Sequence, residues 1–242
     1  MRVYIQSVDK FPISDDCLLA MMGFKQRGWN VILFEDIEEV PVQKSLVLVA
    51  FIKETKEFLK KLDIEVPSIN IPDCLNKPKY LKRKVWTSTI EEVLEKEEFP
   101  LFLKPLEKNP DLPSGVVQSK YNAPLLLSKV PVDTKLIVSN SLDIVAEYRC
   151  YVMDNNIVGV KHYQGNFNIF PNMQLVDEMI LSYAYIGGSP CCYTIDVGVL
   201  SNGETILIEC NDAWAIGNYG LSSEIYSKFL SKRWFEIVGL TR

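Results

Sequence analysis

The 242-residue chain reads as an α/β (α+β) protein on three observations. Over roughly the first seventy residues short apolar runs alternate with helical patterns, the signature of a small α/β unit built on a parallel sheet. Further along, the texture changes to β-hairpins and long helices. The composition, 48% hydrophobic and 24% charged, is that of an ordinary folded protein rather than a disordered or fibrous one.

In the first part, strands fit Arg2 to Gln6, Asn30 to Phe34, Ser45 to Phe51 and Pro67 to Ile71. Ser14 is placed to cap a helix carrying Leu18, Leu19, Met22 and Phe24, with Gly28 ending it; a second helix spans Glu54 to Leu62. The segment Pro72 to Lys84, with two prolines and a basic run, reads as a linker. This divides the chain into an N-terminal α/β domain, 1–75, and a second domain, 76–242. Ser88 with Glu91 reads as a capping box opening a helix through Glu97. Strands then fit Leu101 to Lys104, Val116 to Ser119, Lys135 to Ser139, Ile144 to Met153, Ile157 to His162, Thr194 to Leu200 and Thr205 to Asn211, and helices fit Met173 to Tyr185 and Ser223 to Val238.

The net charge of −5 argues against non-specific nucleic-acid binding, which needs a broad excess of Lys and Arg. The run Lys77, Lys79, Lys82, Arg83 and Lys84 reads as a solvated face, with a phosphate-binding surface as the open alternative. The apolar stretch at the N-terminus is too short for a signal peptide and no run reaches a membrane span, so a cytoplasmic protein without a membrane partner is expected. Six cysteines without Cys-x-x-Cys spacing and one histidine, His162, leave little material for zinc. The cysteines are read as reduced and structural, adjacent Cys191 and Cys192 included.

The most informative segment is Tyr193 to Asn211, two β-rich runs around Ser201-Asn202-Gly203-Glu204. Asn-Gly is a strong two-residue hairpin signal. If Ser201 pairs with Glu204, Asp196 lies opposite Glu209 and Thr194 opposite Asn211. Alternation then puts Asp196, Glu209 and Asn211 on one face, with no cation among their hairpin neighbours. Two opposed carboxylates call for a positive charge between them. Three oxygen donors without His or Cys suit Mg²⁺ or Mn²⁺ shared with phosphate oxygens. A half-exposed hairpin with hydrated charges is the open alternative, Ile195, Val197, Ile206 and Ile208 packing its other face.

Two further segments carry charge in suggestive places. Pro100-Leu101-Phe102-Leu103-Lys104-Pro105 is a short strand ending in a lysine, which reads either as a phosphate contact or as a surface lysine closing the strand. In the strand around Glu147, Arg149 and Tyr151 these three share a face. A three-residue Asp154-Asn155-Asn156 loop sets Arg149 opposite Lys161, two cations that make sense around an anion. A two-residue Asn155-Asn156 turn would instead pair Arg149 with His162, and a surface ion-pair ladder with Glu147 stays open.

Asp196 followed on the next strand by Glu209-x-Asn211 resembles the metal-binding end of the ATP-grasp superfamily. The tail Asp212-Ala213-Trp214-Ala215-Ile216-Gly217-Asn218-Tyr219-Gly220 is similar to a clade of that superfamily marked by one arginine and two lysines. The resemblance covers roughly residues 80 to 225. It implies an ATP-grasp fold behind a small N-terminal domain, with ATP and Mg²⁺ (or Mn²⁺) as cofactors. Asp196, Glu209 and Asn211 would be metal ligands and Lys104 a phosphate contact. The bend holding Ser139, Asn140 and Asp143 would be the adenine-reading hinge and Glu147 the acid on the ribose. Arg149 and Lys161 would be the catalytic cations at the reacting phosphate.

The implied activity is that of an ATP-dependent ligase joining a carboxylate to an amine through an acyl phosphate, with small-molecule or peptide substrates. No side-chain nucleophile is required, in line with the absence of a Ser-His or Cys-His pattern. The amine's base is left open between Asp212 and a substrate group. Trp214 and Tyr219 read equally as a wall of the acceptor pocket or as core. Two competitors stand beside the ligase: a phosphotransferase on the same fold and a non-catalytic ATP-binding module. Because Lys104 and Arg149 are expected at an open site, their replacement by alanine is expected to leave the fold intact.

Overall fold

The computed structural model describes residues 1–65, 69–96, 98–106, 112–122 and 130–240. These fall into two compact units, Met1–Asn76 with Val145–Arg242, and Lys77–Ile144. One division coincides with the linker read from the sequence; the other lies inside the segment read as 76–242. No helix among the described residues is long and apolar enough to cross a membrane.

In the first unit, β1 (Arg2–Val8) is central, parallel to both β3 (Asn30–Phe34) and β4 (Val47–Val49), with β2 (Phe11–Pro12) antiparallel at its end. A strand buried on both faces reads as a continuous apolar run, which is why Val3, Tyr4 and Ile5 are all buried. Helix α1 (Asp15–Gln26) starts as expected, Ser14 Oγ accepting the Cys17 N–H, with Asp15 and Asp16 at the positive end of its dipole. It ends where Gly28 takes a φ of 71°, Trp29 N–H bonding the Phe24 carbonyl at 3.0 Å in a Schellman arrangement. Helix α2 (Ile52–Lys61) follows β4. The described residues of the expected strand Pro67 to Ile71 form no strand, and 66–68 lie outside the description.

The C-terminal helix packs onto this N-terminal layer, and the reason is steric. A Cβ on Gly23 would overlap the Ser223 carbonyl oxygen, so the axis of α1 lies almost against that of the last helix. Phe24, Trp29, Phe58, Tyr226, Phe229 and Trp234 share one core with Tyr151, Ile216 and Leu221, which accounts for Met1–Asn76 and Val145–Arg242 being a single unit.

The second sheet of that unit runs in the order β10-β9-β11-β12, from β9 (Ile144–Met153), β10 (Asn156–Gly165), β11 (Cys192–Leu200) and β12 (Thr205–Asp212).

In the unit Lys77–Ile144, after the short α3 (Pro78–Leu81), β5 (Val85–Thr89) is a strand that the sequence reading missed. It joins β6 (Leu101–Pro105), β7 (Gly115–Val117) and β8 (Lys135–Asn140) in the order β5-β8-β6-β7. The capping box lies one residue later than expected: Thr89 Oγ1 accepts the Glu92 N–H and Glu92 Oε2 the Thr89 N–H, opening α4 (Ile90–Lys96). Two more helices lie in the other unit, α5 (Met173–Ser182), capped by Asn172, and α6 (Ser223–Ile237), capped by Ser222. A single π-helical turn, Tyr183–Gly187, follows α5 where the sequence reading continued the α-helix.

Candidate active site

Both site hairpins reach the expected partners through turns other than those expected. The β9–β10 turn is a two-residue Asp154-Asn155 with both φ positive, at 50° and 61°, pairing Met153 with Asn156. A bulge at Val158 then adds one residue to β10, so Arg149 does oppose Lys161. In the β11–β12 hairpin the loop is Ser201 to Gly203, closed by Leu200 and Glu204, with Gly203 at φ 85°. A bulge at Ile208 restores the pairing of Asp196 with Glu209 and of Thr194 with Asn211. One consequence is a change of face: Leu207, not Ile208, pairs with Val197.

Lys161, Arg149, Asp196 and Glu209 therefore form one row across four strands, two cations then two carboxylates. The expectation of a positive charge for the opposed carboxylates is met at Asp196 from outside its hairpin. Arg149 on the neighbouring strand donates Nε to Oδ1 at 2.8 Å and Nη2 to Oδ2 at 2.7 Å. Both residues are buried, at 7% and 2% exposure, so Arg149 is not at an open surface. Burial alone would lower its pKa, but the hydrogen bonds and charge of Asp196 push it above the ordinary arginine value.

Asn211 closes the far side of the row. Its Nδ2 donates to Glu209 Oε1 at 2.9 Å and, at 3.4 Å, to Asp196 Oδ2. Turning that amide over puts Oδ1 where Nδ2 now points and yields a three-oxygen set. Thr194, paired with Asn211, has a buried hydroxyl with no hydrogen-bond partner. Two carboxylates, a reversible amide and an orphaned hydroxyl fit a divalent cation sharing its shell with phosphate. Among the described residues no three His, Cys, Asp or Glu stand together as a complete protein cage.

The loop after β12 lies over this face. Tyr151 donates to the Gly217 carbonyl at 2.6 Å, Tyr226 to that of Ile216 at 2.5 Å, and Asp16 Oδ1 accepts both the Asn218 N–H, at 2.8 Å, and its Nδ2. The Tyr219 ring sits 4.5 Å from the Arg149 guanidinium carbon and stacks on Tyr163 at 5.3 Å. Tyr163 lies beside Glu147, and burial first, then the charges of Asp196 and Glu147, push its pKa up. Sequence reading passed over Tyr163, although it lies two residues from Lys161.

Lys104, on β6 opposite Ile137, is half-buried. Ser139 is buried and donates to the Asn140 carbonyl, Asn140 Oδ1 accepts the Lys84 N–H at 3.3 Å, and Asp143 is exposed. These four belong to the unit Lys77–Ile144, whereas Glu147, Arg149, Lys161, Asp196, Glu209 and Asn211 belong to the other.

Asp212 points away from the row, buried and forked to Arg233 at 2.7 and 2.5 Å, with Glu236 on the same guanidinium at 2.6 Å. A carboxylate committed in this way is no free base for an amine. None of the six cysteines is in a disulfide; burial, with smaller contributions from Asp196 and Asp177, pushes Cys150 up to about 12, and Cys210 also lies well above the ordinary value. Neither supplies a thiolate near neutral pH.

Among solved structures, the fold is similar to D-alanine–D-alanine ligase from Bacillus anthracis, with a TM-score of 0.60, 13% identity and 98% of each chain covered. L-amino acid ligase from Bacillus licheniformis gives 0.63 and 12%, over 96% of this chain and 74% of that one. D-cycloserine synthetase gives 0.59 and 12%, over 97% and 100%. No curated protein matches the sequence. Residues 80–229 match the model of the ATP-grasp domain, R2K clade family 2, and the chain belongs to that family of the ATP-grasp superfamily.

Proposed function

We propose that the chain is an ATP-dependent carboxylate–amine ligase acting through an acyl phosphate, on small-molecule or peptide substrates in the cytoplasm. The observation that carries this reading is the charge row Lys161, Arg149, Asp196, Glu209, closed by Asn211. Cations at one end suit phosphate oxygens; carboxylates at the other suit divalent metal. Asp196, Glu209 and Asn211 would hold Mg²⁺ or Mn²⁺, and Lys104, Ser139, Asn140, Asp143 and Glu147 the nucleotide. When bound, the metal supplies positive charge against the phosphate oxygens.

In the proposed reaction the γ-phosphorus bond to ADP breaks as a substrate carboxylate oxygen bonds to phosphorus. Arg149 and Lys161 orient and neutralise the moving phosphoryl group. The amine then attacks the acyl carbon, a C–N bond forms, inorganic phosphate leaves, and a proton departs from nitrogen. With Asp212 locked on Arg233, a substrate group takes that proton. Residues 1–75 serve as an N-terminal domain on the acceptor side, in keeping with Asp16 bracing the loop after β12.

Incubation with Mg-ATP, an amino-acid or peptide mixture and hydroxylamine tests the reading. ADP with hydroxamate, and an amide when hydroxylamine is omitted, is the expected result. ADP with a phosphorylated, hydroxylamine-stable product would make the protein a phosphotransferase. Tight binding of Mg-nucleotide without turnover on any acceptor would make it a non-catalytic module.

A further inference from the structure

Two backbone irregularities converge on Arg149. Tyr163 is the extra residue of a bulge in β10, between His162 and Gln164, and bulges beside functional sites re-aim a side chain. Tyr219 has a φ of 42°, uncommon for an aromatic residue, and such strain persists only where the surroundings over-determine it. Those surroundings are present. Asp16 holds Asn218 by two bonds, Asn218 Oδ1 accepts the Gly220 N–H at 2.7 Å, and the Tyr151 and Tyr226 hydroxyls fix the two preceding carbonyls. A loop braced from both sides sets one ring over the guanidinium, while Tyr163 backs that ring.

Building on the proposed function, we infer that Tyr219, backed by Tyr163, is a positioning residue that fixes the plane of the Arg149 guanidinium for the reacting phosphate. Asp196 holds the fork by one edge, through Nε and Nη2, which leaves rotation about that edge as the soft motion. The Tyr219 ring, with the guanidinium carbon 4.5 Å over its centre, restrains that motion through cation–π attraction. Tyr219 is 49% exposed, so a ligand can reach this residue from solvent. The hydroxyl has no part in this role, and phenylalanine should serve as well as tyrosine.

Glycine and asparagine both tolerate the left-handed backbone at this position, so Tyr219→Gly and Tyr219→Asn remove the ring without adding strain. The first readout is the Arg149 Nε–H resonance in the ligand-free protein, assigned by its loss in Arg149→Lys. The second is calorimetric affinity for Mg²⁺ with a non-hydrolysable ATP analogue. Ring-less variants should lose the ring-current shift, exchange this proton with solvent faster, and bind the analogue on the order of tenfold more weakly. Tyr219→Phe should match wild type in both. An unchanged Nε–H signal, or a changed signal with unchanged affinity, overturns the inference alone. So does failure of both ring-less variants to fold, which would make the ring structural. A wild-type chain that does not bind the analogue overturns the proposed function and this inference together.

Discussion

Arg149 grips Asp196 by two parallel hydrogen bonds, from strand β9 to strand β11, in a nearly water-free part of the sheet. The pair answers, without any ligand, the electrostatic problem posed by Asp196 facing Glu209. It also changes what substitutions there will do. A buried ion pair adds little net stability over an apolar pair, yet removing one partner strands the other.

Asp196→Asn should therefore destabilise the ligand-free protein by about 3–5 kcal/mol, as should Arg149→Ala, against the expectation that alanine there leaves the fold intact. For a chain of this size that is a fall of roughly 6–20 °C in melting temperature. The double variant Arg149→Met/Asp196→Leu should regain most of the loss. Calorimetric melting of the four proteins decides the matter; a double variant as unstable as the sum of the singles would show that charge pairing is not the cause.

Acid sensitivity should depend on Glu236. Burial works to raise its pKa, but hydrogen bonds from the Cys191 thiol and from the Cys191 N–H, at 3.0 and 3.1 Å from its oxygens, together with Arg233, outweigh burial and hold it below the ordinary glutamate value. A depressed native pKa gives stabilisation that is complete above the unfolded value, about 4.3, and is lost as pH falls through the native one. Glu236→Gln should thus flatten the loss of stability on acidification below about pH 5. Urea midpoints at pH 7, 4 and 3 provide the measurement, and parallel profiles for the two proteins would remove Glu236 from the account.

Gly23→Ala should act against helix propensity. At a solvent-facing helix position the change would add up to about 1 kcal/mol of stability. Here the new methyl meets the Ser223 backbone carbonyl, and α1 and α6 must move apart, at a cost of about 1–3 kcal/mol. Melting should fall by several degrees; a rise would mean that the crossing gives way without loss.

The strands of both site hairpins and the cap of α1 were legible because each follows from local alternation or a local hydrogen bond. The turns were not. Asn202-Gly203 and Asp154-Asn155-Asn156 each allow several closures, and bulges at Ile208 and Val158 reset the pairing afterwards. Bulges leave no strong mark in composition. The Arg149–Asp196 pair was out of reach for another reason: β9 and β11 are neighbours across a long intervening segment, and no local rule pairs them. Strand β5 was missed because Ser88 with Glu91 reads as a helix cap; a cap does open α4, but it is Thr89 with Glu92, at the end of a strand.

Glu209 offers the test that separates metal ligand from sheet ornament. Its charge faces Asp196, whose own charge Arg149 already offsets, and the response of Glu209→Gln to ligand is read against its own ligand-free melting temperature. The amide keeps the size of the side chain and can still accept from Asn211 Nδ2. What it lacks is the negative charge that draws a hard divalent cation. Wild-type protein with Mg²⁺ and a non-hydrolysable ATP analogue at a hundred times the dissociation constant should gain about 2.7 kcal/mol. That corresponds to a shift of roughly 5–10 °C. Mg²⁺ alone should do much less, because phosphate completes the shell. Under identical ligand concentrations Glu209→Gln should show well under half the wild-type shift, and Lys104→Ala should weaken the nucleotide response. Thermal scans with Mg²⁺, with the analogue and with both resolve these cases. A Glu209→Gln response equal to wild type would show that Glu209 is not a metal ligand.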